Sequence, residues 1–340
     1  MKLKKILSFF LAFAIIISFP LMGCNNSKTT KSTRKIKLCE VVRSIFYAPM
    51  YIAINEGFFE DEGLSIDLST GQGADKVMQT VLSNNADIGL CGAEQTVYIH
   101  NQGRENYHVL FAQLTKKDGS FLVGRGKNNN FTWNSLKGKE IIGGRPGGIP
   151  EMALEHVLKL NGIEPSKDVT MVTNIDFTAT AGAFKSGTAD YVALFEPTAS
   201  TLELEGNYSI VASIGKSSGD LAYTCFFTTK SYMKKNKEIL NKFTKAIYKG
   251  QKWFYSHSSE EIAKSIENFF PGTDLKIMIK VINNYKSIEA LAKTPKVNEK
   301  DLNNLINIIV EYDSKLIPKH PDNKKMINNS FAKEAINDQN

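Results

Sequence analysis

The residues able to do chemistry in this 340-residue chain fall into three groups: four cysteines, five histidines, and acids, aromatics and glycines that follow short apolar runs. Cys39, Cys91 and Cys225 are widely spaced and match no zinc pattern such as CxxC. They read as buried thiols acting as small apolar side chains, with a disulfide as the alternative. His100, His108, His156, His257 and His320 form no HExxH or other ligand spacing, and no Walker A pattern occurs. Metal, nucleophilic and ATP-cradling chemistry therefore lack a carrier. No cofactor and no metal are expected, and non-covalent binding is the chemistry that remains.

The third group supplies the binding candidates. In open α/β lobes, ligands sit outside the carboxyl ends of parallel strands, against helix N-termini. That rule selects Ser44, Phe46 and Tyr47 after a strand at 36–42, Gln72 and Gly73 before a helix at 74, and Gly92, Ala93 and Glu94 after a strand at 87–90. It also selects Arg145, Gly147, Gly148 and Ile149 before a helix at 150, Thr178 and Ala179 after a strand at 169–172, and Phe195 and Glu196 after a strand at 191–195. Each has a structural alternative. Gly147-Gly148 suits a tight turn, Glu94 suits the positive end of its own helix, Tyr47 suits a hydrophobic brace, Arg145 suits solvent, and Glu196 suits a wall ion pair. A flat amino-heterocycle wants an aromatic plate and an acceptor for its NH2 protons, which Tyr47, Phe195 or Tyr223 and Glu94 or Glu196 can supply. An aliphatic sulfonate instead wants N–H and O–H donors and a cation such as Arg145. The first class is slightly favoured, with Glu196 and Tyr47 expected to face each other across a cleft.

The elements that position these residues alternate. Strands and helices succeed one another from residue 36 to about 228, the pattern of a parallel sheet with crossover connections. The helix after Pro150 carries Leu154, Val157 and Leu158 on one face and ends at Gly162. Leu82-Ser83-Asn84-Asn85-Ala86-Asp87-Ile88-Gly89 is echoed by Lys185-Ser186-Gly187-Thr188-Ala189-Asp190-Tyr191-Val192, which suggests two corresponding lobes. From Lys230 the chain reads as helical, and 321–340 as a loosely packed polar tail.

The amino end is an export signal. Lys2, Lys4 and Lys5 precede the apolar run 6–19, too short to span a bilayer comfortably, and Leu21-Met22-Gly23-Cys24 resembles a lipobox. Cleavage before Cys24 and lipidation of its thiol are expected, and the chain is placed outside the cytoplasm on the outer face of the membrane; an uncleaved anchor is the alternative. Residues 25–35 carry no apolar side chain and read as a tether reaching roughly 35–40 Å at about 3.3–3.6 Å per residue. Loss of residues 1–23 removes three lysines and no acid, which lowers the formal charge from +7 to +4. The basic residues scatter and no nucleic-acid motif occurs, so no nucleic-acid partner is expected.

Ala48-Pro49-Met50-Tyr51-Ile52-Ala53 with Glu56-Gly57-Phe58-Phe59 and Glu62-Gly63-Leu64 resembles the opening of the nitrate/sulfonate/taurine and thiamine-pyrimidine solute-binding proteins. Asn85–Gly89, Leu136–Lys139 through Gly147-Gly148, Gly187–Asp190 and Glu196-Pro197 continue the likeness over roughly 36–320. The resemblance implies an α/β clamshell of the type II periplasmic-binding-protein class. Its first lobe is placed at 36–123 plus 225–320 and its second at 124–224, joined by crossing strands near Phe121–Val123 and Cys225–Thr228. It further implies a monomer that captures a small organic solute and docks on an ABC permease driven by a separate ATPase. Two other readings stay open: a sensor lipoprotein acting through a membrane partner, and an enzyme like the fungal pyrimidine synthases, which need a cysteine cluster and a pyridoxal-phosphate lysine.

Overall fold

The computed structural model describes residues 33–127 and 130–339. The export signal, Cys24 and the tether up to residue 32 lie outside the described residues. Residues 34 and 35, read as tether, belong to the first strand: β1 runs Arg34–Glu40 and pairs in parallel with the next strand from Arg34↔Leu64 onward.

β1 is followed by α1 (Ala48–Asn55), β2 (Leu64–Thr70), α2 (Ala74–Leu82), β3 (Ile88–Gly92), α3 (Glu94–Asn101) and β4 (His108–Thr115). The chain then builds a second lobe from β5 (Ser120–Arg125), β6 (Glu140–Ile142), α4 (Ile149–Leu160), β7 (Thr170–Val172), β8 (Tyr191–Phe195), α5 (Thr198–Leu204) and β9 (Tyr208–Ser213). β10 (Thr224–Thr229) returns to the first sheet. After it come α6 (Lys237–Ser256), α7 (Ser259–Ile266), α8 (Leu275–Ser287), α9 (Glu299–Tyr312) and α10 (Ser330–Asn337). The expected two-lobed α/β fold is what the chain forms.

The two five-stranded sheets share one plan, β2-β1-β3-β10-β4 and β7-β6-β8-β5-β9. In each, three parallel strands stand beside an antiparallel strand that has just arrived from the other lobe. The sequence echo has a matching physical cause. The Asp87 carboxylate accepts from the Lys37 N–H at 2.9 Å, and the Asp190 carboxylate accepts from the Glu140 N–H at 3.0 Å, each across 50 residues of chain. Each Asp thus satisfies a strand N–H that the parallel ladder leaves over.

The crossings lie elsewhere than expected. Phe121–Val123 and Cys225–Thr228 sit inside β5 and β10, each within one sheet. The chain passes between lobes at 116–119 and 219–223, so residues 120–123 belong to the second sheet. Leu221 N–H donates to the Lys116 carbonyl at 2.8 Å. Asp220 takes Lys117 at 2.6 Å and Lys116 at 3.5 Å, which binds the two passing segments side by side.

The long helix α6 places Leu240, Phe243, Ile247 and Phe254 on its buried face. It can approach α1 closely because Gly250 has no side chain; a Cβ there would stand 2.2 Å from the Pro49 carbonyl oxygen. The loosely packed tail expected at 321–340 is a correction. Met326, Phe331, Ala332 and Ala335 are buried, and α10 packs on α6 and β4. Phe331, Ala332 and Ala335 follow helical spacing within a polar stretch and close the outer side of the first lobe. Phe331→Ala is therefore expected to cost about 3–5 kcal/mol, the range for emptying a buried aromatic site; denaturant unfolding of the purified chain measures it, and a loss below about 1 kcal/mol would leave the tail reading standing.

Candidate functional site

The turn after β1 is set from beneath. Glu40 is buried, accepts from Tyr51 Oη at 2.6 Å and pairs with Arg43 at 2.8 Å. Ser44 N–H donates to Tyr51 Oη at 3.2 Å, and Ser44 Oγ accepts the Phe46 N–H at 3.2 Å. Ile45–Tyr47 is thus a tight helical turn running directly into α1. Burial pushes the Glu40 carboxyl up to about 7, against the pull of Tyr51 and Arg43.

This turn delivers Phe46 to the middle of the space between the lobes. Its ring lies 4.8 Å from Tyr285, 5.7 Å from Tyr223, 6.0 Å from Tyr47 and 6.2 Å from Phe195, centroid to centroid. Phe46 and Tyr47 come from one lobe, Phe195 from the other, Tyr223 from a crossing segment and Tyr285 from α8. Phe177 continues the series outward, 5.9 Å from Phe195 and 57% exposed.

Glu94 opens α3 at the carboxyl end of β3 and is buried. Gly92 makes room for it: a Cβ there would meet Glu94 Oε2 at 2.0 Å. Oε1 accepts from Gln95 Nε2 at 3.2 Å, whereas Oε2 has no protein donor. Burial pushes the carboxyl up to about 7; Gln95, the adjacent helix N–H groups and the charge of Arg145 offset part of that. Asp118, in the first crossing segment, is also fully buried. Its Oδ1 accepts from Ser120 N–H at 2.8 Å and from Ser120 Oγ, while Oδ2 and the Tyr285 hydroxyl lack partners of hydrogen-bonding geometry. The Tyr223 phenol is raised well above its ordinary range, chiefly by burial and further by the charges of Asp118 and Glu94. Carboxylate oxygens and a phenol thus converge among aromatic rings.

Several predicted residues stand apart from this cluster. Ala93 and Ile149 are buried, at the amino ends of α3 and α4. Gln72 is exposed at positive φ with its N–H bonded to the Val41 carbonyl, and Gly73 begins α2 beside it. Thr178 and Ala179 are exposed in the turn that carries Phe177. Arg145 is exposed in the loop before α4, where Gly147 holds a positive φ and Gly148 caps the helix. Glu196 has protein partners of its own: its carboxylate is held by Ser200 and Asn284.

Sequence reasoning missed Asp118, Tyr285, Asn284, Phe177 and Tyr98. Tyr98 stands one helical turn after Glu94 and donates across the cleft to the Gly147 carbonyl at 2.8 Å, a spacing the sequence offered. Cys91 and Cys225, distant in sequence, sit opposite each other on β3 and β10. They and Cys39 are buried free thiols, and burial pushes all three up.

A carboxyl whose folded pKa is raised favours the fold most while protonated in both states. Its contribution then falls as pH rises from the unfolded value through the folded one. For Glu94 that window runs from 4.5 to about 7. The stability of the chain relative to Glu94→Gln should therefore fall by on the order of 3 kcal/mol between pH 4.5 and 8. Paired urea titrations across that range measure the difference, and a flat difference would remove the raised carboxyl.

The NMT1/THI5 like family description matches residues 45–261. A Bacillus subtilis (strain 168) chain named as a candidate binding protein, YtlA, is 42% identical over 326 residues, covering 96% of each chain. Among solved structures, the periplasmic aliphatic sulphonate binding protein SsuA of Escherichia coli superposes with a TM-score of 0.68 at 16% identity, over 87% of this chain and 98% of that one. The periplasmic nitrate-binding protein NrtA of Synechocystis PCC 6803 gives 0.67 at 14%, over 90% and 89%. At those identities the two structures speak for the fold. The family match spans more than half of the chain and the Bacillus relative nearly all of it: this chain belongs to the NMT1/THI5-like family.

Proposed function

We propose that the chain is the extracytoplasmic solute-binding component of an ABC importer, lipidated on Cys24, working as a monomer and handing its solute to a membrane permease driven by a separate ATPase. Relatives of matching fold that are named as binding proteins support this reading, as does the two-lobed fold with a site at the strand ends. Import needs capture and release, and no group in the cleft has to react.

The solute is a small flat molecule bearing an amine or amidine-like N–H donor, of the thiamine-pyrimidine or amino-heterocycle type. One observation carries this: Glu94 Oε2 is buried and unpartnered, and the charge of Glu94 reaches the Tyr47, Tyr98 and Tyr223 phenols. A buried carboxylate without a donor is costly, on the order of 1–3 kcal/mol or more, and an N–H donor from the solute recovers that cost. A free sulfonate would add a second negative charge beside Glu94 and Asp118. Arg145, whose charge reaches Glu94, is the feature that would serve a sulfonate instead.

A thermal-shift and calorimetric screen of aminopyrimidines, riboflavin, nitrate and aliphatic sulfonates decides between the classes. The binding solute should stabilise the chain by about 2.7 kcal/mol at one hundred times its dissociation constant. An amine donor should bind more tightly as pH rises from 6 to 8, because Glu94 ionises there, and Glu94→Gln should weaken it roughly tenfold or more. Tight sulfonate binding that weakens with rising pH and survives Glu94→Gln would overturn the ligand reading.

A further inference from the structure

We infer that Glu196 is a closure latch: seated rigidly in the second lobe, it grips Asn284 of the first and holds the cleft shut, without touching the solute. The role is independent of which solute is carried.

The seat comes from α5. Glu196 Oε2 accepts the Ser200 N–H at 2.8 Å, and Oε1 accepts Ser200 Oγ at 2.7 Å. The side chain thereby caps the amino end of α5 and cannot swing freely. The grip comes from α8, which packs on α7 and the Ile45–Tyr47 turn and so belongs to the first lobe. Asn284 Nδ2 donates to Glu196 Oε1 at 2.7 Å and reaches Ser200 Oγ at 3.3 Å. One turn earlier on α8, Lys280 Nζ meets Glu203 Oε2 at 2.6 Å. Lys280 and Asn284 share one face of α8, as Ser200 and Glu203 share one face of α5, so a two-rung contact bridges the lobes.

The rungs are unequal. Lys280 and Glu203 each keep about a third of their side chain in solvent, 33% and 33%, where water and salt screen the pair. Glu196 is only 2% exposed, so its bond to a neutral amide is charge-assisted and shielded. Asn284 is the rung that matters. Tyr285, the next residue, packs tilted against Phe46 with centroids 4.8 Å apart, so the latch and the aromatic cluster are adjacent on α8. Across the cleft, the Tyr98 hydroxyl on the Gly147 carbonyl and Glu311 on His156 at 2.9 Å pin the opposite rim, which leaves Glu196–Asn284 as the fastening on the α8 side.

Hydrogen–deuterium exchange on the full chain, without added solute, tests the assignment. In Asn284→Ala, amides of the Ser44–Tyr51 segment and of residues 219–223 should exchange about tenfold faster, while β1 and β8 keep their protection. Lys280→Ala should change the same amides less than about threefold. Asn284→Asp sets a second carboxylate against Glu196 and should open the cleft further; adding Glu196→Gln supplies an amide donor from the other side and should restore protection. Wild-type exchange in Asn284→Ala would overturn the latch. So would protection lost equally throughout both sheets, or a double variant no better protected than Asn284→Asp alone, since a residue that only supports its own helix would not be rescued by swapping polarity across the cleft.

Discussion

The rest of the structure depends on the two chain crossings, held side by side by the Leu221 N–H on the Lys116 carbonyl at 2.8 Å. Asp220 sits in one crossing and takes Lys116 and Lys117 from the other, while Asn304 of α9 donates to the Asp220 carbonyl at 3.1 Å. Two short segments carry all the covalent traffic between the lobes. Asp118 and Tyr223 lie in those same segments, so a buried acid and a buried phenol of the candidate site are carried by the crossings themselves.

The electrostatics of the floor separate this chain from what its fold alone would suggest. The superposable structures carry names of anion binders, yet the buried carboxyl groups here include Glu40, Glu94, Asp118, Glu151 and Glu196. Of these, Glu40 and Glu196 are spoken for by protein donors, Arg43 and Tyr51 in one case and Ser200 and Asn284 in the other. Glu94, Asp118 and Glu151 each retain an oxygen without a partner. A fold shared at 14–16% identity transmits backbone geometry. The few side chains at strand ends decide which charge the cleft accepts.

The lobes, the parallel strands and the echo at Asp87 and Asp190 were legible because each rests on a local rule: alternation of elements, turn residues, and a strand N–H that needs an acceptor. β4 was not read, since His108–Thr115 is buried on both faces and lacks the alternation that marks a strand. With β4 missing, the crossings were displaced by several residues. The rule of strand ends selects Phe46, Tyr47 and Phe195, whose rings the structure brings together, and Glu94, whose charge reaches Tyr47. It does not select Asn284 and Tyr285, because they reach the cleft from a helix far along the chain that only tertiary packing brings there. Glu196 was legible as an acid at a strand end, but its occupation by Ser200, four residues on, shows a capping spacing that was present and passed over.

Both lobes repeat one further device, and the difference between the copies bears on function. In the first, Gly92 makes room for the carboxyl of Glu94; in the second, Gly143 makes room for Glu151, whose own carboxyl would stand 1.9 Å from a Cβ there. Each acid lies in the first turn of the following helix, buried and raised, Glu94 to about 7 and Glu151 to about 8. Glu151 takes the Gly144 N–H at 2.7 Å within its own lobe. Glu94 is influenced by Arg145, which arrives from the other lobe. Under the proposed function, a closed cleft sets that positive charge against Glu94, and an ionised Glu94 is the better acceptor for an N–H donor. By linkage the reverse also holds: a solute that stabilises the Glu94 carboxylate strengthens its attraction to Arg145 and favours closure. Under that reading, the acid offered to the solute and the closure that encloses it are coupled through one charge crossing the cleft.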